Sequence, residues 1–481
     1  MRTAKAFWLK FSEYNDQYGP LITVRMLHQR SFVVSDPHLI SELFEKRASN
    51  YSDRDASEMV KLVGWDQNII FLPYGPAHRR YRTLLHKGLS NRAALDYIPI
   101  QQHEVRRFMR RLVEEPSGFM DHIRLTAASI AVRIAYGYKI DSSDDWLVQM
   151  AEELTAGFAD AVAPARWIVD IIPPLRHLPE WFPLATFQRR AQYLRRLDLK
   201  YREEPFKYAQ KRMSAGTVEA SFTSKLLLSN DGKPLDDETR SYIRDTAADL
   251  YSSGSHTTVS AIESFFLAMT LYPQVQAKAQ AEITEYIQHQ YGNERMILPA
   301  DRLNLPYTSA LVRELLRWHP VINIVAHRSG DLDDDNVVVG DKTYRIPARS
   351  TVIANTWKMM HDPDVYEQPD CFKPERYLVS NPPPDPERYA FGFGRRDPHR
   401  ATIVMDFCQV GVIFVVSKTL AKPHHSNILA NFTITKFKDQ NGLDITPEEL
   451  YSNNLPSHPA PFQCNIVPKE GCVEWLRGAP Q

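Results

Sequence analysis

The sequence of 481 residues contains only four cysteines, which are Cys371, Cys408, Cys464 and Cys472. Four thiols at these spacings form neither a disulfide framework nor a Cys-x-x-Cys metal site. The sequence also lacks an excess of either charge, since Lys and Arg together number 58 and Asp and Glu together number 58. A general electrostatic attraction to nucleic acid or to an anionic membrane is therefore excluded.

Long apolar runs are missing as well. The longest one covers residues 401–416 and contains Asp406 and Gln409, whereas a membrane-spanning helix needs about 20 mostly apolar residues. We interpret this run as a buried helix or strand. The first ten residues also lack the apolar stretch of a signal peptide or membrane anchor. With 43% hydrophobic and 24% charged residues, the composition is typical of a globular protein.

The periodicity of the sequence predicts one large, mainly α domain of the α+β class over residues 1–481, with small sheets near both ends of the chain. We predict helices over 36–47, 101–112, 236–271, 274–291 and 307–318, and one over 184–213 that Pro205 kinks or breaks. We predict strands over 21–26, 31–35 and 461–467, and a meander that joins 337–339, 344–346 and 351–354.

The helix predicted over 236–271 is long enough to cross a domain, and its middle contains Gly254 among serines, followed by His256, Thr257 and Thr258. Threonine hydroxyls in a helix can bond back to the carbonyl four residues earlier. Alternatively, the small and hydroxyl-bearing residues open the helix beside a bound ligand, where Thr257 holds a proton-donating water. The sequence leaves both interpretations open.

Three further patterns point to chemistry in combination. Glu314 and Arg317 lie on one helix face in the run Arg-Glu-Leu-Leu-Arg-Trp-His-Pro, and Phe-Lys-Pro-Glu-Arg-Tyr supplies Arg376 downstream. A Glu-x-x-Arg pair alone is weak, because the chain has two more, and such pairs are mostly surface ion pairs. The run Tyr-Gly-Pro-Ala-His-Arg-Arg-Tyr-Arg from position 74 is basic, and Phe-Gly-Phe-Gly-Arg-Arg from position 391 is rich in glycine.

In this order and at these intervals, the four patterns resemble those of the cytochrome P450 family, most of all its fungal microsomal members. The resemblance implies the mainly α fold of that family, with a long central helix and small β-sheets. It also implies haem as the cofactor. In the family's pattern, Glu314, Arg317 and Arg376 match the structural Glu-Arg-Arg triad, and Thr257 matches the threonine of proton delivery. His256 stands where the family has an acid, and a histidine can also relay protons.

The resemblance also implies how haem is held. Arg82 matches the propionate-binding arginine of a Trp-x-x-x-Arg motif, and His78 stands at the tryptophan position. His327 and Arg396 are further candidate partners of the propionates. In the haem loop, Phe391, Gly394 and Arg396 match the family's pattern Phe-x-x-Gly-x-Arg-x-Cys-x-Gly.

The haem loop then departs from the family. Pro398 occupies the position of the cysteine whose thiolate ligates the iron, and proline has no ligand atom. The thiolate favours O–O cleavage, so its loss affects the central chemistry. Cys408 and His399 are weak candidates for a replacement ligand, and we expect that the chain has no native axial ligand. The anomalous segment covers residues 397–426 and replaces the cysteine loop and the helix after it.

Two explanations compete for this segment: a mis-spliced gene model, or a real, degenerate protein without the axial thiolate. By resemblance, the lineage is a haem-thiolate monooxygenase, an oxidoreductase that acts on an apolar small molecule in fungal secondary metabolism. The implied partner is NADPH-cytochrome P450 reductase, with no nucleic acid and a monomeric state. The implied location is the cytosolic face of the endoplasmic reticulum membrane. Because the N-terminal anchor of the family is absent from this sequence, a cytoplasmic location is the alternative.

Overall fold

The structure is a computed structural model that describes residues 6–26, 29–163, 166–183, 185–228, 235–290, 297, 299–330, 334–393 and 421–478. Helices make up most of these residues, in agreement with the mainly α class predicted from the sequence. The α-helices are α1 (Phe7–Tyr18), α2 (Pro37–Ile40), α3 (Glu58–Val63), α4 (Pro76–Leu89), α5 (Asn91–Leu95), α6 (Ile98–Glu114), α7 (Phe119–Tyr136), α8 (Trp146–Val162), α9 (Ile168–Ile171), α10 (Thr186–Ser214), α11 (Phe222–Leu228), α12 (Asp237–Leu271), α13 (Pro273–Gln290), α14 (Pro306–Trp318), α15 (Thr356–Met360), α16 (Glu387–Ala390), α17 (Ala421–Asn431) and α18 (Cys472–Gly478).

Short helical turns of other types connect these helices. A π-helical turn continues α2 over Ser41–Lys46. Turns of 3-10 helix cover Trp65–Gln67, Pro116–Gly118, Pro173–His177, Pro299–Asn304 and Pro374–Tyr377.

The strands form three small sheets. They are β1 (Leu21–Met26), β2 (Gln29–Val34), β3 (Val325–Arg328), β4 (Asp335–Val339), β5 (Lys342–Ile346), β6 (Thr351–Ala354), β7 (Phe432–Lys438), β8 (Asp444–Ile445) and β9 (Cys464–Pro468). The largest sheet has the order β1-β2-β6-β3, in which only β2 and β6 are parallel. β4 and β5 form a hairpin, and β7 lies between β8 and β9.

Helix α12 is the central element of the fold. The Asp236 carboxylate caps its first turn by accepting a hydrogen bond from the Thr239 N–H, and acidic residues follow at Asp237 and Glu238, where they complement the helix dipole. The N-terminal half of α12 packs into one hydrophobic cluster and its C-terminal half into another. Helix α7 packs along it. The long helix predicted from the sequence is therefore confirmed.

One prediction about local structure is wrong in part and another is wrong: Pro205 does not break the predicted helix, and the predicted meander of three strands does not form. Helix α10 continues through Pro205, which is buried inside it. Helix α10 packs against α3, α8 and α12, and this packing offsets the backbone hydrogen bond that the proline removes. Strand β6 does not extend the hairpin of β4 and β5, because it pairs with β2 and β3 in the other sheet. That pairing depends on a strand more than 300 residues away, which local periodicity does not reveal.

Candidate functional site

Glu314, Arg317 and Arg376 come together as one buried group, which we call the triad cluster. Arg317 donates from Nε and Nη2 to the two carboxylate oxygens of Glu314, each at 2.9 Å. Arg376, from the turn after α15, donates from Nε to Glu314 Oε2 at 3.0 Å. The exposed fraction is 0% for Glu314, 0% for Arg317 and 7% for Arg376. A single carboxylate thus holds two guanidinium groups in the interior.

Backbone groups complete the triad cluster. The Lys373 N–H donates to Glu314 Oε1 at 2.9 Å. Arg317 Nη1 donates to the Met360 carbonyl at 2.9 Å, and Arg376 Nη1 donates to the Glu367 carbonyl, also at 2.9 Å. The cluster therefore ties α14 to the chain between residues 360 and 376, which leads towards the haem loop.

His78 and Arg82 lie one turn apart on α4, so both point to the same side of the helix. His78 is completely buried and Arg82 is partly buried. Burial lowers the pKa of the Arg82 guanidinium, because the charged form loses solvation. A carboxylate ligand at this place would offset that loss, so the two side chains fit the propionates of a haem.

His327, on β3, can donate a hydrogen bond to a haem propionate only under a condition that the sequence does not reveal. Its Nδ1 lies 2.7 Å from the carbonyl oxygen of Tyr51, and its ring stacks on Phe44 with centroids 4.1 Å apart. A carbonyl oxygen only accepts, so Nδ1 carries a proton. In the neutral ring Nε2 is then an acceptor, and His327 can donate to a carboxylate only in its doubly protonated form.

Asp53 brings these sequence-distant residues into one region. Its carboxylate accepts from the Tyr74 N–H at 2.8 Å, just before α4, and its carbonyl accepts from the Arg328 N–H at 2.9 Å, at the end of β3. The ring of Tyr74 lies 5.6 Å from that of His78. The beginning of α4 and the end of β3 therefore meet at Asp53, which places His78 and His327 in neighbouring parts of the fold.

The described part of the haem loop borders the same region. Phe391 and Phe393 are both buried, and the ring of Phe393 lies 6.0 Å from that of Phe44, which stacks on His327. The remaining residues predicted here lie outside the described part of the chain: Gly394, Arg396, Pro398, His399 and Cys408.

On α12, the helix is continuous through Gly254. Thr257 donates its hydroxyl to the Ser253 carbonyl at 2.8 Å, and Thr258 donates to the Gly254 carbonyl at the same distance. The interpretation that the helix opens here is therefore wrong, and the hydroxyls bond back to the preceding turn. No described residue donates a hydrogen bond to Thr257 Oγ1, so within the described ranges its lone pairs can still accept one.

His256 is held in one tautomer by a residue that the sequence analysis did not single out. Thr155, on α8, donates its hydroxyl to the Ala151 carbonyl at 2.9 Å, and its oxygen lies 2.5 Å from His256 Nε2. When the single hydrogen of Thr155 goes to the Ala151 carbonyl, His256 Nε2 is the donor to Thr155 and Nδ1 is an acceptor. Burial lowers the pKa of His256 to about 4, with smaller contributions from His458 and Arg124. The ring is therefore neutral at pH 7.

A cavity of about 110 Å³ lies beside α12. One wall consists of side chains that recur along one face of this helix: Asp249, Ser252, Ser253, His256 and Thr257. The facing wall is mostly apolar and includes Trp65, Ile69, Leu154 and Phe158. Helices α8 and α10 approach each other closely beside the cavity. A Cβ atom added at Gly157, on α8, would lie only 2.3 Å from Leu194 Cδ2, on α10. The cavity therefore leads from an apolar wall to Thr257 and His256.

The far end of the cavity carries charge, in a group that we call the cavity cluster: Asp198, Arg202 and Asp249. Arg202 donates from Nε to Asp198 at 2.7 Å and from Nη2 to Asp249 at 3.0 Å. Burial raises the pKa of Asp249 to about 6, although Arg202 acts in the opposite direction. This cluster was not predicted from the sequence. The spacing of Asp249 and His256, seven residues apart on one helix face, could have indicated that Asp249 lies near the candidate site.

The described residues that fit the carboxylates of a haem are His78 and Arg82, and the described cysteines are Cys371, Cys464 and Cys472. Among the described residues there is no group of three His, Cys, Asp or Glu side chains that could hold a metal ion. Cys371 is exposed and Cys472 is buried, and burial raises the pKa of the Cys464 thiol to about 12, so it stays protonated. Within the same described ranges, no helix is long and apolar enough to cross a membrane.

Comparison with known proteins gives a consistent result. Residues 1–397 match the family model described as Cytochrome P450. The chain is 34% identical over 476 residues to the cytochrome P450 monooxygenase claR of Ampulloclitocybe clavipes, which covers 98% of this chain and 84% of that protein. It is 35% identical over 475 residues to cytochrome P450 monooxygenase 208 of Postia placenta, with coverage of 98% and 87%.

Solved structures show the same fold. A zebrafish cytochrome P450 solved with progesterone superimposes with a TM-score of 0.73 at 20% identity, over 96% of this chain and 99% of that one. A structure of a zebrafish cytochrome P450 with abiraterone gives a TM-score of 0.71 at 19% identity, over 96% and 100%. The fold predicted from the sequence motifs is confirmed.

Proposed function

The chain belongs to the cytochrome P450 family, whose cofactor is haem, and on this premise we propose that it oxidises an apolar small molecule held in the cavity beside α12. The observation that supports this proposal is the cavity itself, whose mostly apolar wall faces Thr257 and His256. Apolar walls with a few polar groups are typical of small-molecule sites. We propose further that the substrate belongs to fungal secondary metabolism.

Haem, when bound, supplies the oxygen-activating chemistry of a monooxygenase. Arg82 and His78 would hold one or both of its carboxylates, because both are donors on the same side of α4. His327 would join them when its ring is doubly protonated, since its Nδ1 proton already serves the Tyr51 carbonyl. The triad cluster would keep the chain that leads towards the haem loop in place.

Proton delivery falls to α12. Thr257 would hold a water through the free lone pairs of Oγ1, because its own hydrogen is donated to Ser253. His256 presents a neutral Nδ1, which accepts a hydrogen bond from such a water and fixes its orientation. Since the pKa of His256 is about 4, this residue positions the water at neutral pH and is a poor proton donor itself.

We also infer the setting of this activity from the family. The electron donor would be NADPH-cytochrome P450 reductase, acting on a monomeric catalytic domain. The location would be the cytosolic face of the endoplasmic reticulum membrane.

The experiment that tests the haem cradle uses two arginines of one helix. Arg82 is partly buried, whereas Arg79 is exposed. The full chain is expressed with added haem, and bound haem is measured by absorbance after gel filtration. Arg82→Leu should weaken haem retention about 10-fold to 150-fold, since a charge-assisted hydrogen bond contributes about 1.5–3 kcal/mol, whereas Arg79→Leu should leave it unchanged. Equal haem retention in both variants would contradict the assignment.

A second candidate function is a P450-like protein without monooxygenase activity. Pro398 stands at the position of the ligating cysteine, and the family match ends one residue earlier, at Asp397. This proposal predicts that the haem-loaded, reduced chain under carbon monoxide lacks the Soret band of a thiolate ligand. A band at the thiolate position would exclude it. Sequencing the transcript between the codons of Arg396 and Asn427 separates a gene-model error, which would reveal a Cys codon, from a degenerate protein.

A further inference from the structure

The charged side chains that line the cavity have an excess of negative charge. Among the described residues of its wall, the ionised groups are the carboxylates of Asp198 and Asp249 and the guanidinium group of Arg202. His256 also lines the wall, but its ring is neutral at pH 7, because burial lowers its pKa to about 4. The proposed reaction uses none of the three charged groups, so this part of the wall has no role in it so far.

The residues next to the cavity cluster do not remove the excess. Asp245, one helical turn before Asp249 on α12, lies 3.8 Å from Arg202 and adds a third carboxylate. Arg244 is the cation beside it, and its Nε lies 2.9 Å from Asp245 Oδ1. The same guanidinium group also pairs with Glu203, so it brings no spare positive charge to the cavity.

The carboxylate of Asp249 is incompletely paired at the cavity wall. Asp249 lies one turn before Ser252 and Ser253 on the face of α12 that forms this wall. One of its oxygens accepts from Arg202 Nη2 at 3.0 Å, and the other has only the Ile69 N–H among the described residues, at 3.5 Å. Burial raises its pKa to about 6, so most of the carboxylate is still ionised at pH 7.5.

Arg202, in contrast, is already shared among several oxygens of the protein. Its Nε donates to Asp198 at 2.7 Å, and its Nη1 donates to the Asp245 carbonyl at 3.4 Å. Its Nη2 donates to Asp249 at 3.0 Å and to the side chain of Asn68 at 2.9 Å. An anionic ligand would therefore gain little from this guanidinium group and would be repelled by the two carboxylates of the wall.

The aromatic part of the wall accepts both apolar and cationic groups. Trp65 and Phe158 line the cavity with their ring centroids 5.7 Å apart. Trp65 lies three residues before Asn68, whose side chain accepts from Arg202, so the aromatic wall and the cavity cluster are joined by one short segment. The faces of aromatic rings attract cations and also pack against hydrocarbon.

We propose that the cavity binds an apolar amine, whose ammonium group donates a hydrogen bond to Asp249 and whose hydrocarbon part contacts the apolar wall. Arg202 repels the ammonium group, but the carboxylates of Asp198 and Asp249 both attract it, so the net interaction is attractive. The bound amine balances the charge of the wall. An alcohol of the same shape leaves the excess in place, and a carboxylate increases it.

This inference rests on the proposed function, in that the amine is the substrate. Asp249 precedes Thr257 by eight residues, which is about 12 Å along a helix that rises 1.5 Å per residue. An amine held at Asp249 therefore presents its hydrocarbon end, rather than its nitrogen, to Thr257.

The test compares two probes of the same shape but different charge. Their binding to the full chain, expressed with added haem, is measured by equilibrium dialysis at pH 7.5. Cyclohexylamine is a cation at this pH and cyclohexanol is neutral, and a cavity of about 110 Å³ accepts one small ring. The unmodified chain should bind the amine about tenfold more tightly than the alcohol. Asp249→Asn keeps the shape of the side chain but removes its charge, so it should weaken the amine about tenfold and leave the alcohol unchanged.

Asp245→Asn is the matched control. It removes the same charge from the same helix, one turn away, and Asp245 also lies near Arg202, but it is not among the residues that line the cavity. This variant should bind both probes like the unmodified chain. Circular dichroism checks that both variants fold, and the comparison of the two probes on the unmodified chain needs no variant.

The outcomes are decisive in each direction. Equal affinities of the unmodified chain for the two probes, equal effects of the two variants on the amine, or no binding of the amine would overturn the inference. An amine that instead ligates a haem iron would bind both variants equally, which is the second of these results. Amine preference that depends on Asp249, in a chain that oxidises nothing, would support the binding preference and refute the proposed function. Oxidation of a hydrocarbon without amine preference would do the reverse.

Discussion

The triad cluster and the cavity cluster both bury arginine beside carboxylates, yet their compositions are opposite. The triad cluster sets two guanidinium groups against the one carboxylate of Glu314, and backbone carbonyls bind the remaining N–H groups. The cavity cluster sets the one guanidinium group of Arg202 against the carboxylates of Asp198 and Asp249. The first contains an excess of donors, and the second contains an excess of acceptors.

This difference separates a structural role from a binding role. In the triad cluster, both oxygens of Glu314 and the nitrogens of both arginines have partners from the protein. In the cavity cluster, by contrast, the second carboxylate oxygen of Asp249 accepts only from the Ile69 N–H among the described residues, at a long distance of 3.5 Å. Complete pairing fixes the chain in place, whereas incomplete pairing next to a cavity leaves groups for a ligand.

The largest expected effect comes from Glu314→Gln. The substitution leaves two buried guanidinium groups without a carboxylate, so we expect a loss of about 3–5 kcal/mol in the free energy of unfolding. Chemical denaturation followed by circular dichroism measures it. Glu474→Gln is the matched control, because Glu474 and Arg477 repeat the same spacing on the exposed surface of α18, and a change below about 0.5 kcal/mol is expected there. Similar losses in both variants would show that the triad cluster is no more important than a surface pair.

The second largest loss of stability is expected for Arg202→Leu, and unlike the loss in Glu314→Gln it should depend on pH. Removing the only cation of the cavity cluster leaves buried carboxylates unpaired, and we expect a loss of about 3 kcal/mol at pH 7. The loss should shrink at pH 5, because Asp249 can then take up a proton. The loss in Glu314→Gln should not shrink, because guanidinium groups do not titrate in this range. Denaturation curves of both variants at the two pH values test this contrast, and parallel behaviour would contradict it.

A smaller effect concerns Asp249 in the unmodified chain. Burial raises its pKa in the folded state to about 6, from 3.8. The folded state therefore binds more protons than the unfolded state between these values. The resulting stabilisation is complete below about pH 4 and is lost as the pH rises through 6. Relative to Asp249→Asn, the unmodified chain should lose on the order of 2 kcal/mol between pH 4 and pH 7. An identical pH slope in both proteins would show that Asp249 does not titrate in this way.

The smallest effect is expected for Thr155→Val, which removes the acceptor of His256 Nε2. We expect a loss of about 1 kcal/mol at neutral pH, the usual contribution of one buried hydrogen bond. Since burial is the main cause of the lowered pKa of His256, the ring should stay neutral above pH 5 in both proteins. Nitrogen NMR of the imidazole reports its tautomer and protonation, and a ring that becomes charged near pH 6.5 would contradict this explanation.

The sequence was most informative where local pattern and motif order agree. The acidic start and the apolar spacing of α12 predicted its bounds to within one residue, and the order of the motifs predicted the partnership of Arg376 with Glu314 and Arg317. It was less informative about long-range contacts. Pro205 was expected to interrupt α10, yet tertiary packing keeps that helix continuous.

The cavity cluster shows why the rest was missed. Asp198 and Arg202 are spaced like an ordinary surface pair on a helix, and only the packing of α10 against α12 buries Arg202 beside Asp249. Likewise, Thr155 became relevant only because α8 brings it to His256. Residue types alone do not distinguish these side chains from solvent-exposed ones, since their environment depends on contacts between distant segments.

The parallel pairing of β2 with β6 has a consequence for how the chain reaches its native state. Ser31 pairs with Thr351, 320 positions later. At a synthesis rate of about 5–20 residues per second, about 16–64 s pass between the emergence of the two strands from the ribosome. During this time the apolar side chains of Phe32 and Val34, buried in the finished protein, lack their β6 partners. The sheet can thus close only after β6 has been synthesised, and a nascent chain that stops before residue 354 cannot complete it.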